Sequence, residues 1–307
     1  MSVLPLVFEK QILAKQDQQT AIEALANACP EVSKQKLKVA MKYGAVWFAD
    51  PTGKNRPQRL RRAKRIIPKA SSLFIYYNQQ VLFDPIEPAR LIADQGSYSV
   101  WNKPSGMFSQ GTKWGDHTAI ARWVELFGFE REKLPHRETY LVHRLDRATN
   151  GLILLAHSKL MAQKLAGLFE NRAIDKQYSA VVEGLISADK YLKFEAPIDG
   201  RQALTKLLSA DYCEASQQTF LCLGLETGRK HQIRKHLAGA GFPIVNDYLY
   251  GKRNRDCDEN EQGLQAVSVS NHLLLRSYQL GFICPETNLP VKFELPQYVA
   301  SSSNGNR

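Results

Sequence analysis

Apolar residues recur along this chain at two spacings, one typical of helices and the other typical of strands. Between residues 18 and 41 they return every three or four positions on both sides of a proline, which predicts two short helices. Ser33 is a favourable N-cap for the second helix, and Gly44 lies where that helix is expected to end. Further helices are predicted at residues 118–127, from Ser158 onward and at residues 229–237.

Uninterrupted apolar runs predict strands that are buried on both faces. The clearest run covers residues 152–156 and directly follows the turn signal Thr149-Asn150-Gly151. Other strands are predicted at residues 45–48, 73–77, 98–103, 176–184, 220–225, 278–284 and 291–295. Together these elements indicate a large α+β domain on a mixed, mainly antiparallel β-sheet with flanking helices, preceded by a small α/β module.

A short proline-containing stretch, Asp84-Pro85-Ile86-Glu87-Pro88, is typical of a linker. We therefore predict that the small module covers residues 1–84 and that the large domain covers residues 85–299. Residues 300–307 are rich in Ser, Asn and Gly, and we expect this tail to be disordered.

The composition is ordinary for a globular protein, apart from an excess of positive charge. Of the 307 residues, 44% are hydrophobic and 23% are charged, which suits a soluble chain with a full core. The formal net charge of +11 favours a polyanionic partner. The five cysteines include no C-x-x-C pair, so we expect no disulfide framework, no zinc site and a cytoplasmic setting. The sequence contains no run of 18 apolar residues, so no membrane-spanning helix is predicted. We expect the protein to be a monomer.

Much of the positive charge lies in residues 54–69, a segment without any acidic residue. This segment is either a solvated loop or a phosphate-binding surface. The order of two short helices, a strand, the basic segment and a closing strand resembles the small RNA-binding module shared with a small-subunit ribosomal protein. That resemblance covers roughly residues 18–80. The candidate RNA contacts in the module are Arg59, Arg61, Arg62, Lys64 and Arg65.

Asp146 is the most distinctive candidate for chemistry, because it lies in a tight connection at the mouth of the buried strand. Two arginines flank it and His143 lies nearby, so the carboxylate is expected to keep its charge. Such a carboxylate suits a nucleophile or a base, and it equally suits a structural ion pair. The chain has no P-loop, G-x-G-x-x-G or G-x-S-x-G motif, and His231 and His236 are spaced wrongly for one metal-binding helix face.

Four separated motifs give the chain its resemblance to the RluA family of RNA pseudouridine synthases. Three of the motifs are His143-Arg144-Leu145-Asp146 followed by Thr149 and Gly151, Asn102-Lys103-Pro104-Ser105-Gly106, and Lys176-Gln177-Tyr178. The fourth is a basic motif, Gly228-Arg229-Lys230-His231-Gln232-Ile233-Arg234, which continues through Pro243-Ile244 and Asp247. Asn150 stands where this family usually has Ser, and Lys230 stands where Thr or Ser is commoner. The resemblance covers about residues 95–297 and implies that a uridine in RNA is detached at its glycosidic nitrogen, rotated and rejoined through a ring carbon. It implies no cofactor and no metal.

The resemblance also implies roles for individual residues. Asp146 would be the essential carboxylate, whether it attacks the sugar, attacks the ring or removes a sugar proton. Arg234 would pair with Asp146, and Tyr178 would pack on the uracil ring with its hydroxyl free for proton transfer. The expected RNA contacts in this domain are Arg144, His143, Lys103, Arg229 and Lys230. For Arg144 and His143, the alternative to an RNA contact is a structural role. Lys103 is either a phosphate contact or a turn residue.

Two other functions compete with an RNA-modifying isomerase. A catalytically silent RNA-binding or ribosome-assembly factor would keep the fold, but it would have no need of Asp146, Tyr178 and Arg234 together. A metal-dependent nuclease is disfavoured because no acidic cluster accompanies the histidines. Structured RNA is the predicted partner. Ribosomal RNA is favoured over transfer RNA, because modules of this N-terminal type accompany ribosomal targets in related enzymes.

Overall fold

The computed structural model describes residues 4–15, 17–52, 54–187, 192–251 and 272–299, and the predicted tail lies outside these ranges. The chain forms two compact units, one of residues 1–86 with 110–126 and one of residues 87–109 with 127–307. The first unit therefore includes a segment, residues 110–126, that the sequence-based division placed in the large domain. No described helix is long and apolar enough to cross a membrane.

The first unit combines a four-stranded antiparallel sheet, a two-stranded ribbon and short helices. Its elements are β1 (Val7–Leu13), β2 (Gln19–Thr20), α1 (Ala21–Ala28), α2 (Lys34–Lys42), β3 (Val46–Ala49), β4 (Gln58–Arg59), β5 (Ile66–Ile67), β6 (Ser72–Asn78), α3 (Gln79–Phe83) and α4 (Ile120–Trp123). The sheet order is β1-β6-β3-β4, and β2 pairs with β5 in the ribbon.

The core of the first unit lies where α1 and α2 pack with the sheet. Leu25 from α1, Leu37 from α2 and Ile75 from β6 are fully buried members of one hydrophobic cluster. Burial of one such side chain contributes about 1.5–3 kcal/mol. Ser33 Oγ accepts a hydrogen bond from the Lys36 amide at 3.3 Å, so the predicted cap and the two predicted helices are confirmed.

The second unit is built on one large, mixed sheet. Its elements are β7 (Arg90–Asp94), β8 (Tyr98–Lys103), α5 (Phe129–Arg131), β9 (Tyr140–Leu141), β10 (Asn150–Ala156), α6 (Lys159–Glu170), β11 (Asp175–Glu183), β12 (Lys193–Phe194), β13 (Thr205–Cys213), β14 (Gln218–Leu225), α7 (Gln232–Gly239), β15 (Leu275–Ile283) and β16 (Pro290–Glu294). A π-helical turn, Val124–Gly128, lies between α4 and α5 along the chain. The sheet order is β12-β13-β14-β11-β15-β10-β8-β7, with β16 beside β15 and β9 beside β10.

Among these described strand pairs, only β10 and β15 run parallel, and the others are antiparallel. The predicted α+β fold on a mixed, mainly antiparallel sheet is therefore confirmed.

Strand β10 lies inside this sheet, as its apolar sequence requires. Residues 152–156 are all fully buried. Gly151 pairs with Lys103 of β8 on one side and with Ser277 of β15 on the other. Its φ is +117°, and a Cβ atom there would lie 2.2 Å from the Ser277 carbonyl oxygen, so only glycine fits. This close approach fixes the point at which the preceding loop enters the sheet.

Candidate active site

The loop that precedes β10 is fixed by the turn that follows β8. Ser109 Oγ donates to the Leu145 carbonyl at 2.7 Å and accepts from the Leu145 amide at 3.0 Å. Ser105 Oγ donates to the Ala148 carbonyl at 2.8 Å. These bonds satisfy backbone groups on both sides of Asp146, so its backbone is held in one position.

Lys103, the last residue of β8, is fully buried beside this loop. Its Nζ donates to the carbonyls of Pro104 at 3.0 Å and Met107 at 2.9 Å, and the Arg147 carbonyl lies at 3.4 Å. Burial lowers the pKa of Lys103 to about 7, although the charge of Asp146 opposes this shift. The predicted phosphate contact is wrong, because the ammonium group is shielded from solvent and bonded to backbone oxygens. The alternative, a turn residue, fits these contacts.

Asp146 opens into a small cavity that Tyr178 and Arg234 also line. The Asp146 side chain is 16% exposed, and the cavity volume is about 170 Å³. An apolar cavity of about 150 Å³ is known to hold one benzene ring, so a single six-membered ring is the right size of occupant. Three residues from three separate sequence motifs thus share one cavity. No cluster of three or more His, Cys, Asp or Glu side chains in the described ranges could hold a metal ion.

Tyr178 lies within β11, where that strand pairs irregularly with β15. Gln177 pairs with Gln279 while Tyr178 pairs with Ser277, so the register skips Tyr278. Irregularities of this kind redirect side chains and are common beside active sites. Burial raises the pKa of the Tyr178 hydroxyl; Ser277 opposes this, and Asp146 adds to it. The hydroxyl is therefore protonated at neutral pH.

Arg234 does not pair with Asp146, contrary to the prediction. Its Nε and Nη2 atoms donate to the two carboxylate oxygens of Asp247, each at 2.7 Å. The Arg234 side chain is 5% exposed and that of Asp247 is 0% exposed, so this is a buried ion pair. Burial alone would raise the pKa of Asp247, but Arg234 holds it below its usual range. The fork of the guanidinium matches the Asp247 carboxylate in the bidentate geometry that arginine prefers.

The segment that enters α7 is held by the buried side chain of Gln232. Its Oε1 accepts from Thr227 Oγ1 at 2.7 Å and from the Arg229 amide at 3.0 Å, and its Nε2 donates to Thr205 Oγ1 at 3.0 Å. Helix α7 begins at Gln232, so the predicted start at residue 229 is wrong. Arg229 and Lys230 precede the helix and are not part of its first turn.

His231 lies against Asp146, although no catalytic or RNA-binding role was predicted for it. Its Nε2 is 3.8 Å from Asp146 Oδ1, and within the described ranges Asp146 has no other ion-pair partner. Its Nδ1 lies 2.9 Å from the Tyr250 hydroxyl. The one sequence signal was its place in the basic motif, three residues before Arg234.

Residues 97–239, which contain Asp146, Tyr178 and Arg234, match the family model described as RNA pseudouridylate synthase. The uncharacterised RNA pseudouridine synthase YlyB of Bacillus subtilis is 33% identical over 236 residues, which cover 70% of this chain and 71% of YlyB. The chain belongs to the RNA pseudouridine synthase family. It is therefore an isomerase that converts uridine in RNA to pseudouridine.

Other relatives confirm the resemblance to the RluA family. Ribosomal large subunit pseudouridine synthase D of Neisseria meningitidis serogroup A is 27% identical, over 89% of this chain and 74% of its own length. The solved structure of human RNA pseudouridylate synthase domain containing 4 is 21% identical and has a TM-score of 0.52. It covers 68% of this chain and 88% of its own, and it shows that the fold is shared.

Two predicted RNA contacts of the synthase have very different surroundings. Arg144 is exposed at the cavity, and its side chain has no hydrogen-bond or ion-pair partner among the described residues. His143 Nε2 accepts from the Leu154 amide at 2.9 Å, and its ring stacks on Phe169 at 4.3 Å. Burial lowers the pKa of His143 to about 3, so the ring is neutral. These contacts favour the structural alternative for His143 and leave Arg144 available to RNA.

Arg229 and Lys230 also differ in their exposure and in their contacts with the rest of the protein. Arg229 is half-buried, and its Nε donates to the Gln202 carbonyl at 3.1 Å. Lys230 is exposed, and no described residue pairs with its ammonium group. Both line the cavity that contains Asp146, so an RNA strand entering the cavity would meet their positive charge.

In the first unit, two of the predicted RNA contacts are engaged within the protein. Arg59 Nε lies 3.3 Å from Asp116 Oδ2, and Arg59 Nη2 donates to the Thr112 carbonyl at 2.7 Å. Arg61 donates to the same Asp116 carboxylate. Both arginines therefore hold the segment of residues 110–126. They are not free to bind a phosphate group, contrary to the prediction. Asp116 lies more than 50 residues further along the chain, so the charges near Arg61 in the sequence could not predict this pair.

The remaining predicted contacts of the basic segment face solvent. Arg62, Lys64 and Arg65 are all exposed, and the Arg65 guanidinium lies 4.3 Å from the centre of the Phe48 ring. Arg62 and Lys64 have no side-chain partner in the part of the chain that the structure describes. Residues 59–65 line a surface cavity of about 820 Å³.

Proposed function

We propose that this synthase modifies uridines of ribosomal RNA and that Asp146 is the carboxylate on which the isomerisation depends. The observation that carries the proposal is the shared cavity of Asp146, Tyr178 and Arg234. Relatives that are named for the large ribosomal subunit favour that substrate. One is the synthase D of Neisseria, and another is the ribosomal large subunit synthase C of Buchnera aphidicola, 29% identical over 208 residues. Transfer RNA is the second candidate, because a tRNA pseudouridine synthase C of Haemophilus ducreyi is 30% identical over 210 residues.

The chemistry requires a base outside its stack, next to a carboxylate that is ready to react. Enzymes that act on bases extrude the target nucleotide into a pocket, and a cavity of about 170 Å³ accepts one ring. Asp146 lies at this cavity as the nucleophile or base, and Tyr178 packs against the uracil ring. The buried Tyr178 hydroxyl keeps its proton at neutral pH and can donate it to the rotating base.

The RNA backbone is held by exposed cations that form no ion pair with another described residue of the protein. At the cavity these are Arg144 and Lys230, and in the first unit they are Arg62, Lys64 and Arg65. Each phosphate that such a group neutralises releases counterions, so affinity falls as salt rises. Arg59 and Arg61 also line the surface cavity of the first unit, but both already pair with Asp116, so we expect them to contribute less to RNA binding.

Mapping of pseudouridine in cellular RNA tests the substrate. Ribosomal and transfer RNA would be compared from cells that lack the gene, cells that carry it and cells that carry Asp146→Asn. The proposal expects a ribosomal position that is modified only when the unmutated gene is present. A missing position in transfer RNA would make the second candidate correct. Unchanged maps would favour a catalytically silent RNA-binding factor.

The salt dependence of RNA binding tests the surface of the first unit. Arg62→Ala with Lys64→Ala should weaken binding and reduce the slope of log Kd against log salt by about 1 to 2, since two phosphate contacts are lost. Lys159→Ala with Lys164→Ala is the matched control, because it removes the same charge from exposed positions of α6. Equal slopes for the two double variants would contradict the assignment of Arg62 and Lys64.

A further inference from the structure

The imidazole of His231 faces the Asp146 carboxylate in the cavity that Tyr178 and Arg234 also line. Its Nε2 is 3.8 Å from Asp146 Oδ1, and its ring lies among residues that line the same cavity. A separation of 3.8 Å is about 0.8 Å longer than a hydrogen bond. Catalytic hydrogen bonds are often long without substrate and shorten in the bound complex. His231 is thus placed to bond to Asp146 once RNA is in the cavity.

The second ring nitrogen of His231 is held by Tyr250. The Tyr250 hydroxyl lies 2.9 Å from Nδ1, and the two rings meet edge to face at 74°. An ionised carboxylate can only accept hydrogen bonds, so the group that faces Asp146 must carry hydrogen. A neutral imidazole carries one N–H, and if it lies at Nε2, then Nδ1 accepts from the Tyr250 hydroxyl. The Asp146 carboxylate therefore selects the Nε2–H tautomer, and the Tyr250 hydroxyl can donate to the bare Nδ1 of that tautomer.

Tyr250 is in turn positioned by the buried ion pair. Its amide donates to Asp247 Oδ1 at 3.1 Å, and the Arg234 guanidinium lies 5.1 Å from the centre of its ring. A continuous set of contacts therefore joins Arg234 and Asp247 to Tyr250, His231 and Asp146. Arg234 therefore acts on Asp146 through these contacts as well as through its charge, which interacts with that carboxylate without bonding to it.

We propose that His231 is a positioning residue for Asp146, with the neutral Nε2–H donating to the carboxylate and the Tyr250 hydroxyl donating to Nδ1. The backbone of His231 supports this assignment. Its φ of +56° and ψ of +28° place it in the left-handed region immediately before α7. Non-glycine residues in this region are uncommon and cluster at functional sites. The proposal rests on the role of Asp146 given above, and it concerns how that carboxylate is aimed.

Burial, together with nearby cations, favours the neutral form of the His231 imidazole at pH 7. Burial lowers its pKa most; Asp146 raises it, and Arg234, Lys230 and Lys235 lower it again. The net direction is downward, so the ring gains a proton only below its ordinary range. An imidazolium there would form an ion pair with Asp146 and make the carboxylate less reactive. The rate should therefore fall on the acid side as His231 becomes protonated.

Two substitutions of His231 test the roles of its two ring nitrogens separately. His231→Asn retains a polar atom near the Nδ1 position, tolerates the left-handed backbone and leaves nothing facing Asp146. His231→Gln places an amide N–H near the Nε2 position. We expect His231→Asn to lower kcat by about 10- to 100-fold with little change in KM, the range for a lost hydrogen bond to a charged group. We expect His231→Gln to recover most of that loss and to shift the acid limb of the pH profile to lower pH.

His236→Asn is the matched control on the same helix. His236 is buried and makes its contacts with Thr205 Oγ1 and the Ala196 carbonyl, away from Asp146. It should lower Tm without lowering kcat of the folded enzyme. If His231→Asn turns over like the wild type while Asp146→Asn is inactive, the positioning role is wrong and Asp146 stays catalytic. If Asp146→Asn is active, the proposed function itself is wrong. Equal losses of kcat in His231→Asn and His236→Asn would also overturn the positioning role.

A nuclear magnetic resonance titration of the free protein gives a readout that does not depend on turnover. Because Asp146 raises the pKa of His231, Asp146→Asn should lower the pKa of that ring. The ¹⁵N shifts of the wild type should show the Nε2–H tautomer, and Tyr250→Phe should shift the population toward Nδ1–H. A titration of His231 that is unchanged by Asp146→Asn would refute the contact.

Discussion

The buried ion pair between Arg234 and Asp247 should be the most sensitive electrostatic feature of the second unit. Asp247→Asn keeps the size of the side chain and leaves one oxygen for the amides of Leu249 and Tyr250, which bond to Oδ1 at 3.0 and 3.1 Å. It removes the negative charge and turns an NH₂ group toward the guanidinium of Arg234, whose side chain is 5% exposed. Removing one partner of a buried pair typically costs about 3–5 kcal/mol, because the remaining charge is uncompensated.

Urea unfolding at pH 7 measures this cost, and Asp199→Asn is the control. Asp199 pairs with Lys235 of the same helix at 3.0 Å, but its side chain is 69% exposed, so no measurable change is expected. The pH dependence supplies a second check. Because the pKa of Asp247 is lowered in the folded state, the stability that it contributes is present above its unfolded pKa and is lost as pH falls through the folded pKa. The difference between the wild type and Asp247→Asn should therefore shrink in acid.

A small effect would refute this reasoning. If the free energy of unfolding of Asp247→Asn lies within about 1 kcal/mol of the wild-type value, the range typical of exposed pairs, the ion pair is not buried in solution. A double-mutant cycle with Arg234→Met adds a direct test. The two substitutions should be strongly non-additive, with the double variant more stable than the sum of the single losses implies. Additive losses would show that the two side chains do not interact.

Three further predictions concern the loop before β10 and the cavity. Gly151→Ala should destabilise the enzyme by about 1–3 kcal/mol, because its Cβ would lie 2.2 Å from the Ser277 carbonyl oxygen and its φ is +117°. Gly167→Ala in α6, where a Cβ meets nothing within 4 Å, should stabilise it by about 0.5–1 kcal/mol in the same urea assay. Burial lowers the pKa of Lys103 to about 7, so the unfolded chain binds more protons than the folded chain between about pH 7 and pH 10, and stability should rise with pH. Lys103→Met should reduce that rise by up to about 1.4 kcal/mol per pH unit, and an unchanged slope would mean that Lys103 is not buried as a titrating group. Tyr178→Phe should lower kcat by about 10²-fold or more with KM little changed, whereas Tyr178→Leu should also raise KM; a wild-type kcat in Tyr178→Phe would exclude proton transfer by the hydroxyl.

The parts of the fold that local chemistry determines were predictable from the sequence. An apolar run bounded by Asn150-Gly151 predicted β10, and Ser33 and Ser158 predicted the starts of α2 and α6. Strand β13 was missed because its pattern gives the wrong signal. Leu208 is 49% exposed while Thr205 is fully buried, so polarity does not follow the inner and outer faces of this strand.

The site was predictable as a set of residues but not as a set of contacts. The resemblance of the motifs predicted Asp146, Tyr178 and Arg234 as site residues, and all three line one cavity. It did not predict that Arg234 would bond to Asp247, because the choice between two carboxylates depends on three-dimensional geometry. Lys103 shows the same limit, since its sequence position after a strand does not distinguish an exposed phosphate contact from a fully buried amine.

Tritium release from RNA labelled at uridine C5 tests the central claim, the catalytic role of Asp146, most directly. Rejoining the base through C5 displaces the hydrogen on that carbon, so each turnover releases tritium to water. The wild-type enzyme should release tritium from ribosomal RNA, and Asp146→Asn should release none above background while unfolding at the same urea concentration as the wild type. Release by Asp146→Asn at a rate close to that of the wild type would contradict the account.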